Sequence, residues 1–499
     1  MNAPAAITLP KLSYGFARQN GVLLTTIDGT LTVIRRTDAG LSACLEARRI
    51  AGAPAALSEV SATEFERLLS QIYASGDLSE TVATAMDGPD DLMSLAENLP
   101  RTSDLLDSDD DAPIIKLING ILQEAIRTRA SDIHIEPYEN RLAVRFRIDG
   151  ALRDMLSLSS KLSSTLASRV KVMAQLDIAK KRVPQDGRFS LNLGERAIDV
   201  RVSTLPSQYG ERVVMRLLEK TAALMNLSDL GMDVGTLAAF KAALAKPNGI
   251  VLVTGPTGSG KTTTLYGAVS GLNDGSRNIL TVEDPVEYAL DGVGQTQVND
   301  KVGMSFAAGL RAILRQDPDI VMIGEIRDPE TAEIAVQSAL TGHMVLSTVH
   351  TNSAIGAITR LRDMGIEPFL LASTVTAVVA QRLVRRLCGT CKQGYTPTPA
   401  ELSELDLSAK TSGPYFRAKG CNACQNTGYV GRLGLYEVVS MDDDLRAMIH
   451  ENASETAMEA HAFTSRETLL QSGARHFQNG LTSSDDVLRV CRGNMVEGA

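Results

Sequence analysis

A glycine-rich loop with a lysine and a threonine lies between an apolar run and a helical stretch, in VLVTGPTGSGKTTT, residues 251–264. Its glycines let backbone N–H groups approach phosphate closely, the helix amino terminus adds a positive dipole, and the lysine reaches the terminal phosphates. We therefore predict an ATP site in which Mg²⁺ is held by the hydroxyl of Thr262. The predicted contact residues are Gly255, Pro256, Thr257, Gly258, Ser259, Gly260, Lys261, Thr262 and Thr263.

Two later segments place carboxylates at the ends of predicted strands. IVMIGEI, residues 320–326, ends on Glu325, while Gly324 stands where many nucleotide hydrolases have a metal-binding aspartate. Glu325 is therefore predicted to orient the attacking water, unless it is only a surface carboxylate. TVEDPVEY brings more acids to the sheet edge where open α/β folds bind ligands, and these could hold Mg²⁺ through water or form a solvated turn. Those acids are Glu283, Asp284 and Glu287.

Histidines and arginines could stabilise or sense the terminal phosphate. TGHMVLSTVHTN contains His343 and His350, which are otherwise ordinary strand-end residues. Phosphoryl transfer spreads negative charge, so cations besides the loop lysine are expected, although surface ion pairing is the alternative. The candidates are Arg201, Arg212 and Arg216 on strands, with Arg311 and Arg315 one helical turn apart.

Four of the six cysteines form two CxxC pairs, which favour a metal site in a reducing compartment. Four thiolates suit a tetrahedral structural Zn²⁺ site with no open position, and a small subdomain must fit between the pairs. A redox dithiol and free thiols are the alternatives. The predicted ligands are Cys388, Cys391, Cys421 and Cys424.

The elements that must position these residues fall into three domains. Residues 1–85 contain a β-hairpin pattern around Asp28-Gly29 and a helix with buried Phe65, Leu68, Leu69, Ile72 and Tyr73. Residues 86–111 are predicted to form an acidic linker, and residues 112–228 a second domain whose sheet has a polar face bearing arginine. From 235 to 499, strands alternate with helices as in a mostly parallel sheet, with the tetracysteine subdomain at about 385–430.

Composition narrows the class of function. The chain has 499 residues, a formal net charge of −9, 4% aromatic residues and no tryptophan, which disfavours a broad nucleic-acid surface. The uncharged stretch 368–381 is shorter than the ~18 apolar residues of a membrane span, and the amino terminus has no signal-peptide pattern. We expect a cytoplasmic protein that binds no nucleic acid.

The ordered motifs GPTGSGKTTT, TVEDPVEY, RQDPDIVMIGEIRDPETA, TGHMVLSTVHTN and the paired CxxC sequences resemble the secretion superfamily ATPases. The likeness covers about residues 112–499 and is to the type II secretion ATPases of the GspE family. It implies a RecA-like P-loop ATPase domain preceded by two smaller α/β domains, the second of which, residues 112–228, is PAS-like and supplies arginines. The opening LSYGFARQNGVLL resembles the amino-terminal modules of that family, which dock on the cytoplasmic domain of GspL.

The resemblance also implies roles. Glu325 is the catalytic glutamate, Glu283 lies near metal and water, and His343 and His350 form the His box. Arg201, Arg216, Arg311 and Arg315 become γ-phosphate or interface arginines. The family works as a homo-hexamer, peripheral to the inner membrane through GspL and GspF, and powers pseudopilus assembly and protein export.

Three other functions remain open from the sequence. Type IV pilus assembly ATPases of the PilB kind share the same motifs and the cysteines, whereas PilT-like retraction ATPases lack the cysteines. A nucleic-acid motor is disfavoured by the acidic charge and scarce aromatic residues. A nucleotide-binding assembly scaffold with negligible turnover is the third.

Overall fold

The structure is a computed structural model that describes residues 12, 16–17, 20–27, 30–52, 54–62, 64–65, 68–69, 112–193, 196–219, 226–408 and 413–492. The chain divides into two compact units, residues 1–222 and 223–499. The predicted turn at Asp28-Gly29, the helix positions Ile72 and Tyr73, and the acidic linker lie outside the described residues.

The amino-terminal part of the first unit is a three-stranded sheet with a helix. Its elements are β1 (Val22–Ile27), β2 (Thr30–Arg36), α1 (Leu41–Ala51) and β3 (Ala56–Val60). β1 and β2 are antiparallel, which confirms the predicted hairpin pairing, and β2 and β3 are parallel. Phe65 and Leu69, two predicted core positions, are fully buried and pack with Val172 and Ile178.

The rest of the first unit is a six-stranded antiparallel sheet in the order β6-β5-β4-β9-β8-β7. Its strands are β4 (Asp132–Pro137), β5 (Arg141–Ile148), β6 (Ala151–Ser159), β7 (Gln185–Leu193), β8 (Arg196–Ser207) and β9 (Gly210–Glu219). The helices are α2 (Ala112–Arg127) and α3 (Ser163–Met173). Ile198, Val200 and Val202 alternate into the core, as predicted, and leave Arg201 on the opposite face.

The second unit contains a seven-stranded sheet in the order β12-β11-β13-β14-β10-β15-β18. Its strands run parallel except β18, which pairs antiparallel with β15. The strands of this unit are β10 (Gly249–Thr254), β11 (Ile279–Glu283), β12 (Gly294–Gln297), β13 (Ile320–Ile323), β14 (Met344–Val349), β15 (Val375–Leu387), β16 (Gln393–Gly394), β17 (Phe416–Arg417) and β18 (Tyr429–Ser440). Because the central strands are buried on both faces, they appear in the sequence as continuous apolar runs.

Helices cover this sheet. They are α4 (Val234–Leu244), α5 (Lys261–Leu272), α6 (Phe306–Ile313), α7 (Pro329–Leu340), α8 (Ala354–Asp363), α9 (Pro368–Thr374), α10 (Pro399–Glu404), α11 (Asp443–His450), α12 (Glu455–Ala462), α13 (Leu469–Gln478) and α14 (Ser484–Arg492). Separate apolar clusters lie on the two faces of the sheet, which confirms the predicted layered α/β architecture. Within the described residues, no helix has the length and apolar character needed to cross a membrane.

Candidate functional site

The glycine-rich loop lies at the carboxyl edge of the parallel sheet, between β10 and α5. Gly255, Gly258 and Gly260 have φ angles of 149°, 80° and 87°, in the region that favours glycine. A Cβ at Gly255 would lie only 2.4 Å from the carbonyl oxygen of Gln381. The buried hydroxyl of Ser259 has no hydrogen-bond partner among the described residues. A loop with these backbone angles and an unpaired buried donor fits a phosphate ligand.

Lys261 is a buried cation at the first position of α5. Its Nζ donates to the carbonyl oxygens of Gly255 at 2.8 Å and Pro256 at 3.2 Å. Burial lowers the pKa of Lys261 to about 8; the charge of Glu325 opposes this shift, and that of Arg382 adds to it. A phosphate beside Nζ would favour the protonated form, so this lysine fits an anionic ligand.

The predicted Mg²⁺ ligand Thr262 lies in the first turn of α5 and is exposed, and Thr263 is partly buried. Mg²⁺ prefers oxygen ligands and usually keeps several waters beside one or two protein groups and the substrate phosphates. An accessible hydroxyl next to the loop fits that requirement. Asp284, which follows β11, is also exposed.

Glu325 and His350 follow the neighbouring parallel strands β13 and β14, so their side chains meet at the same sheet edge. His350 Nε2 lies 3.2 Å from Glu325 Oε2, and Arg327 forms an ion pair with the other oxygen. The Glu325 side chain is 13% exposed. Its carboxylate is thus held by two cationic or dipolar groups and still reaches solvent, as a group that orients water must.

Glu283, which is expected near metal and water, is already bonded to protein groups, and its predicted role stays a prediction. It is buried at the end of β11, where Oε1 accepts bonds from Thr281 at 2.6 Å and Gln295 at 3.1 Å. Oε2 accepts a bond from the hydroxyl of Tyr266, and burial together with this bond raises the pKa of Tyr266. Because both oxygens are occupied by protein donors, Glu283 joins α5 to the sheet in this structure.

Two buried residues of β15 support the site and were missed by sequence reasoning. Gln381 accepts a bond from Thr264 at 2.7 Å and lies against Gly260. Arg382 donates to the carbonyl oxygen of Asn352 at 3.0 Å, in the loop that carries His350. Arg382 could have been found in the sequence because it is the first charged residue after the uncharged run 368–381.

The structure does not bring His343 to the glycine-rich loop. This residue precedes β14, at the amino end of the strand, and its Nδ1 lies 2.9 Å from the carbonyl oxygen of Ser338. His350 follows the same strand, and six residues of β-strand span about 20 Å. The two predicted histidines therefore lie at opposite edges of the sheet.

The predicted arginines are divided between the two units, with Arg311 and Arg315 in the second and Arg201 and Arg216 in the first. Arg311 on α6 forms an exposed ion pair with Glu330 at 2.5 Å. Arg315 is exposed just beyond α6, and the next residue, Gln316, accepts a bond from Asn278 at the amino end of β11. Arg201 lies in the first unit on β8 and Arg216 on β9, where Arg216 binds Asp132. Their predicted roles at phosphate stay predictions.

The four predicted zinc ligands converge. The Sγ–Sγ distances are 4.0 Å for Cys388–Cys421, 3.7 Å for Cys391–Cys424 and 3.7 Å for Cys421–Cys424. Zn–S bonds of about 2.3 Å in a tetrahedron place sulfurs about 3.8 Å apart, so the cluster is compatible with Zn²⁺. Burial alone raises the pKa of Cys424, but backbone N–H groups of Cys421 and Gly428 outweigh it and lower the pKa to about 6.

The sequence of this chain matches family models and relatives from secretion systems. A family model described as "Type II/IV secretion system protein" matches residues 107–489, and a model of an amino-terminal domain of "GSPII protein E" matches residues 11–73. Type II secretion system protein E of Pseudomonas aeruginosa is 54% identical over 492 residues, 98% of each chain. Type II secretion system ATPase E of Vibrio cholerae is 54% identical over 454 residues, 91% of this chain and 90% of its own.

Solved structures show the same fold. The pilus retraction motor PilT, solved with bound ADP, has a TM-score of 0.51 and 27% identity, covering 74% of this chain and 95% of its own. The Legionella pneumophila ATPase DotB has a TM-score of 0.56 and 23% identity, covering 77% of this chain and 95% of its own.

Fold and loop together define a P-loop ATPase of the α/β class, so the chain is an ATP hydrolase. It belongs to the type II/IV secretion system protein family, as a secretion ATPase of the type II system. The resemblance stated from its motifs and the predicted fold class are both confirmed.

Proposed function

We propose that this chain is the Mg²⁺-dependent ATPase that drives pseudopilus assembly, and thereby protein export, as a homo-hexamer beneath the inner membrane. The observation that carries the proposal is the meeting of Lys261, Glu325 and His350 at the edge of the sheet that bears the glycine-rich loop.

Each protein group has a distinct task in hydrolysis. Backbone N–H groups of the loop and Lys261 bind the phosphates, and Thr262 holds the metal ion. When bound, Mg²⁺ neutralises charge that develops on the phosphate oxygens. Glu325 orients the attacking water, and His350 is placed to respond to changes at the terminal phosphate through its contact with Glu325.

Movement follows from the link between this site and neighbouring elements. The hydroxyl of Thr254, at the end of β10, lies 2.6 Å from that of Thr351, directly after His350. Arg382 holds the next residue, Asn352, and α8 begins two residues later. A change at the phosphate can therefore shift the His350 loop and α8 together.

The proposal is tested by complementation of a type II secretion strain that lacks its own ATPase. The wild-type gene should restore export and surface pseudopili, and Lys261→Ala should restore neither because the phosphates lose their cation. Purified wild-type protein should lose ATP turnover with EDTA and regain it with Mg²⁺. Export restored by the Lys261→Ala variant, or turnover without a divalent ion, would contradict the proposal.

We propose that the amino-terminal module docks on the cytoplasmic domain of GspL, with GspF as a further partner. Leu41 and Leu45 of α1 support this, since they are 68% and 66% exposed one helical turn apart. Replacing both by aspartate should abolish co-purification with the GspL domain and leave the melting temperature unchanged. The matched control is Leu57→Asp, an exposed leucine on β3, which should still bind; unchanged binding of the double variant would refute the patch.

A further inference from the structure

Five charged residues lie directly opposite one another across the six-stranded sheet. The row, which we call the arginine row, consists of Arg188 on β7, Arg201 on β8, Arg216 on β9, Asp132 on β4 and Arg147 on β5. Opposed residues of antiparallel strands share a face, with Cβ atoms about 5 Å apart, and like charges in such positions are destabilising. The row contains four cations and one carboxylate, so its own net charge is positive and favours an anionic ligand.

Asp132 is the buried, hydrogen-bonded carboxylate of the arginine row. Its Oδ1 accepts a bond from Arg216 Nε at 2.9 Å, and its Oδ2 accepts one from Ser131 Oγ at 2.7 Å and lies 3.7 Å from Arg147 Nε. The Asp132 side chain is only 7% exposed. Burial on its own raises the pKa of Asp132, but the bonds from Ser131 and Arg216 outweigh it and the pKa lies below its usual value. The carboxylate is therefore ionised at neutral pH.

The bond to Asp132 leaves the outer edge of Arg216 available. It uses Nε, and no described residue accepts a hydrogen bond from the two terminal amino groups. The Arg216 side chain is 58% exposed. Paired N–H groups of this kind bind two phosphate oxygens at once. Asp132 thus fixes the direction of Arg216 without occupying the groups that would contact a ligand.

We propose that Asp132 is a positioning residue that holds Arg216 of the arginine row ready for the phosphates of a nucleoside triphosphate. This inference rests on the proposed function, which supplies the triphosphate as ligand. An arginine already held in one direction loses less conformational freedom when it binds the charge that develops on the phosphate. The bond from Arg216 to Asp132 should therefore raise kcat more than it strengthens ATP binding.

The direct test is Asp132→Asn in the full-length chain, which keeps the shape and removes the charge. We expect kcat for ATP to fall about 10-fold or more, with KM changed by less than about threefold. Asp132→Glu should recover part of the loss, because it restores a carboxylate to the same neighbours. Should Asp132→Asn fail to fold, Ser131→Ala removes only one donor to the carboxylate and should lower kcat about threefold.

Glu136→Gln is the matched control. Glu136 lies on the same face of β4, is also 7% exposed, and forms ion pairs with Arg145 and Arg212, which are outside the arginine row. This variant should lose stability comparable to Asp132→Asn yet keep kcat within about twofold. Equal losses of kcat in both variants, or full kcat in Asp132→Asn, would overturn the inference.

The proposed function is tested separately in the same assay by Glu325→Gln. If that variant is inactive while Asp132→Asn keeps full turnover, the positioning role fails and the ATPase site stands. Turnover by Glu325→Gln at the wild-type rate would instead refute the catalytic assignment itself.

Discussion

Lys261 carries an unusual combination of burial, loop carbonyl contacts and a nearby carboxylate. In the free protein its proton is held weakly, because burial penalises the charged form and lowers the pKa to about 8. A bound triphosphate reverses that balance, since its negative oxygens favour the ammonium. At and above about pH 8, ATP binding and proton uptake are therefore coupled at this residue.

The affinity for ATP should depend on pH in a defined direction. Below about pH 7 Lys261 is already protonated and affinity should be constant; above about pH 8 it should weaken by up to ~10-fold per pH unit. Calorimetry at pH 8.5 in buffers of different ionisation enthalpy should show proton uptake. The control Lys261→Arg stays protonated, so its weaker binding should not vary over this range. Wild-type affinity that is flat from about pH 7 to 9 would contradict the pKa shift.

Local sequence pattern predicts some site residues and misses others. Lys261 is predictable because it ends a glycine-rich loop that follows an apolar strand, and Glu325 because it ends an apolar run. Both lie at the carboxyl edge of the sheet. The burial of Glu283 is not, because it depends on Tyr266 and Gln295 from other elements. The contact of Asp132 with Arg216 requires the register of strands 84 residues apart, which no local pattern encodes.

At the scale of elements, the tetracysteine segment combines a small apolar cluster with a candidate metal site. Among the described residues between the cysteine pairs, regular structure is limited to the short β16–β17 pair and α10, and Leu402, Leu405 and Tyr415 pack against Phe477. A Zn²⁺ ion bound by the four converging thiols would add its binding free energy to the folding free energy of this segment. The CxxC spacing predicts this cluster, whereas the fold between the pairs could not be derived from it.

Purified protein should contain about one zinc per chain, and Cys388→Ser should lose it because a tetrahedral structural site needs all four thiolates. Elemental analysis measures the metal, and a melting curve should show the accompanying loss of stability. Cys491→Ser is the control, since Cys491 lies on α14 outside the cluster and should keep the zinc. Well-folded wild-type protein without metal would contradict the assignment.

The strands of the second unit were predictable because buried parallel strands are continuous apolar runs, as in IVMI of β13. The order of the strands in the sheet could not be predicted from the sequence. It depends on which runs pair, and β10 pairs with β14 and β15, which follow it by about 90 and 120 residues. The placement of His343 away from His350 follows from that same strand geometry.

For the whole molecule, the position of Arg315 predicts that it contacts ATP bound by a neighbouring copy of the chain. It lies at the amino edge of the sheet, about 20 Å of strand away from the carboxyl edge that bears the glycine-rich loop. An arginine side chain does not span that distance. If Arg315 serves a phosphate, as its predicted role requires, the phosphate is bound by a neighbouring chain. A closed ring supplies such a neighbour at every site.

Mixing two inactive variants tests this directly. Arg315→Ala and Lys261→Ala should each lose turnover, and an equal mixture should regain about a quarter of wild-type activity, because one neighbour pair in four is intact. Arg311→Ala with Lys261→Ala gives the same test for the residue one helical turn earlier. No recovery after verified subunit exchange would show that Arg315 does not act across chains.

The central claim is that Lys261 binds the phosphates and Glu325 orients the water that attacks them. Single-turnover hydrolysis by Glu325→Gln, started with ATP and Mg²⁺ already bound, measures that claim most directly. The account predicts ATP affinity within about threefold of wild type and hydrolysis slowed about 100-fold or more, because the amide cannot accept a proton. Hydrolysis at the wild-type rate by ATP-saturated Glu325→Gln would contradict it.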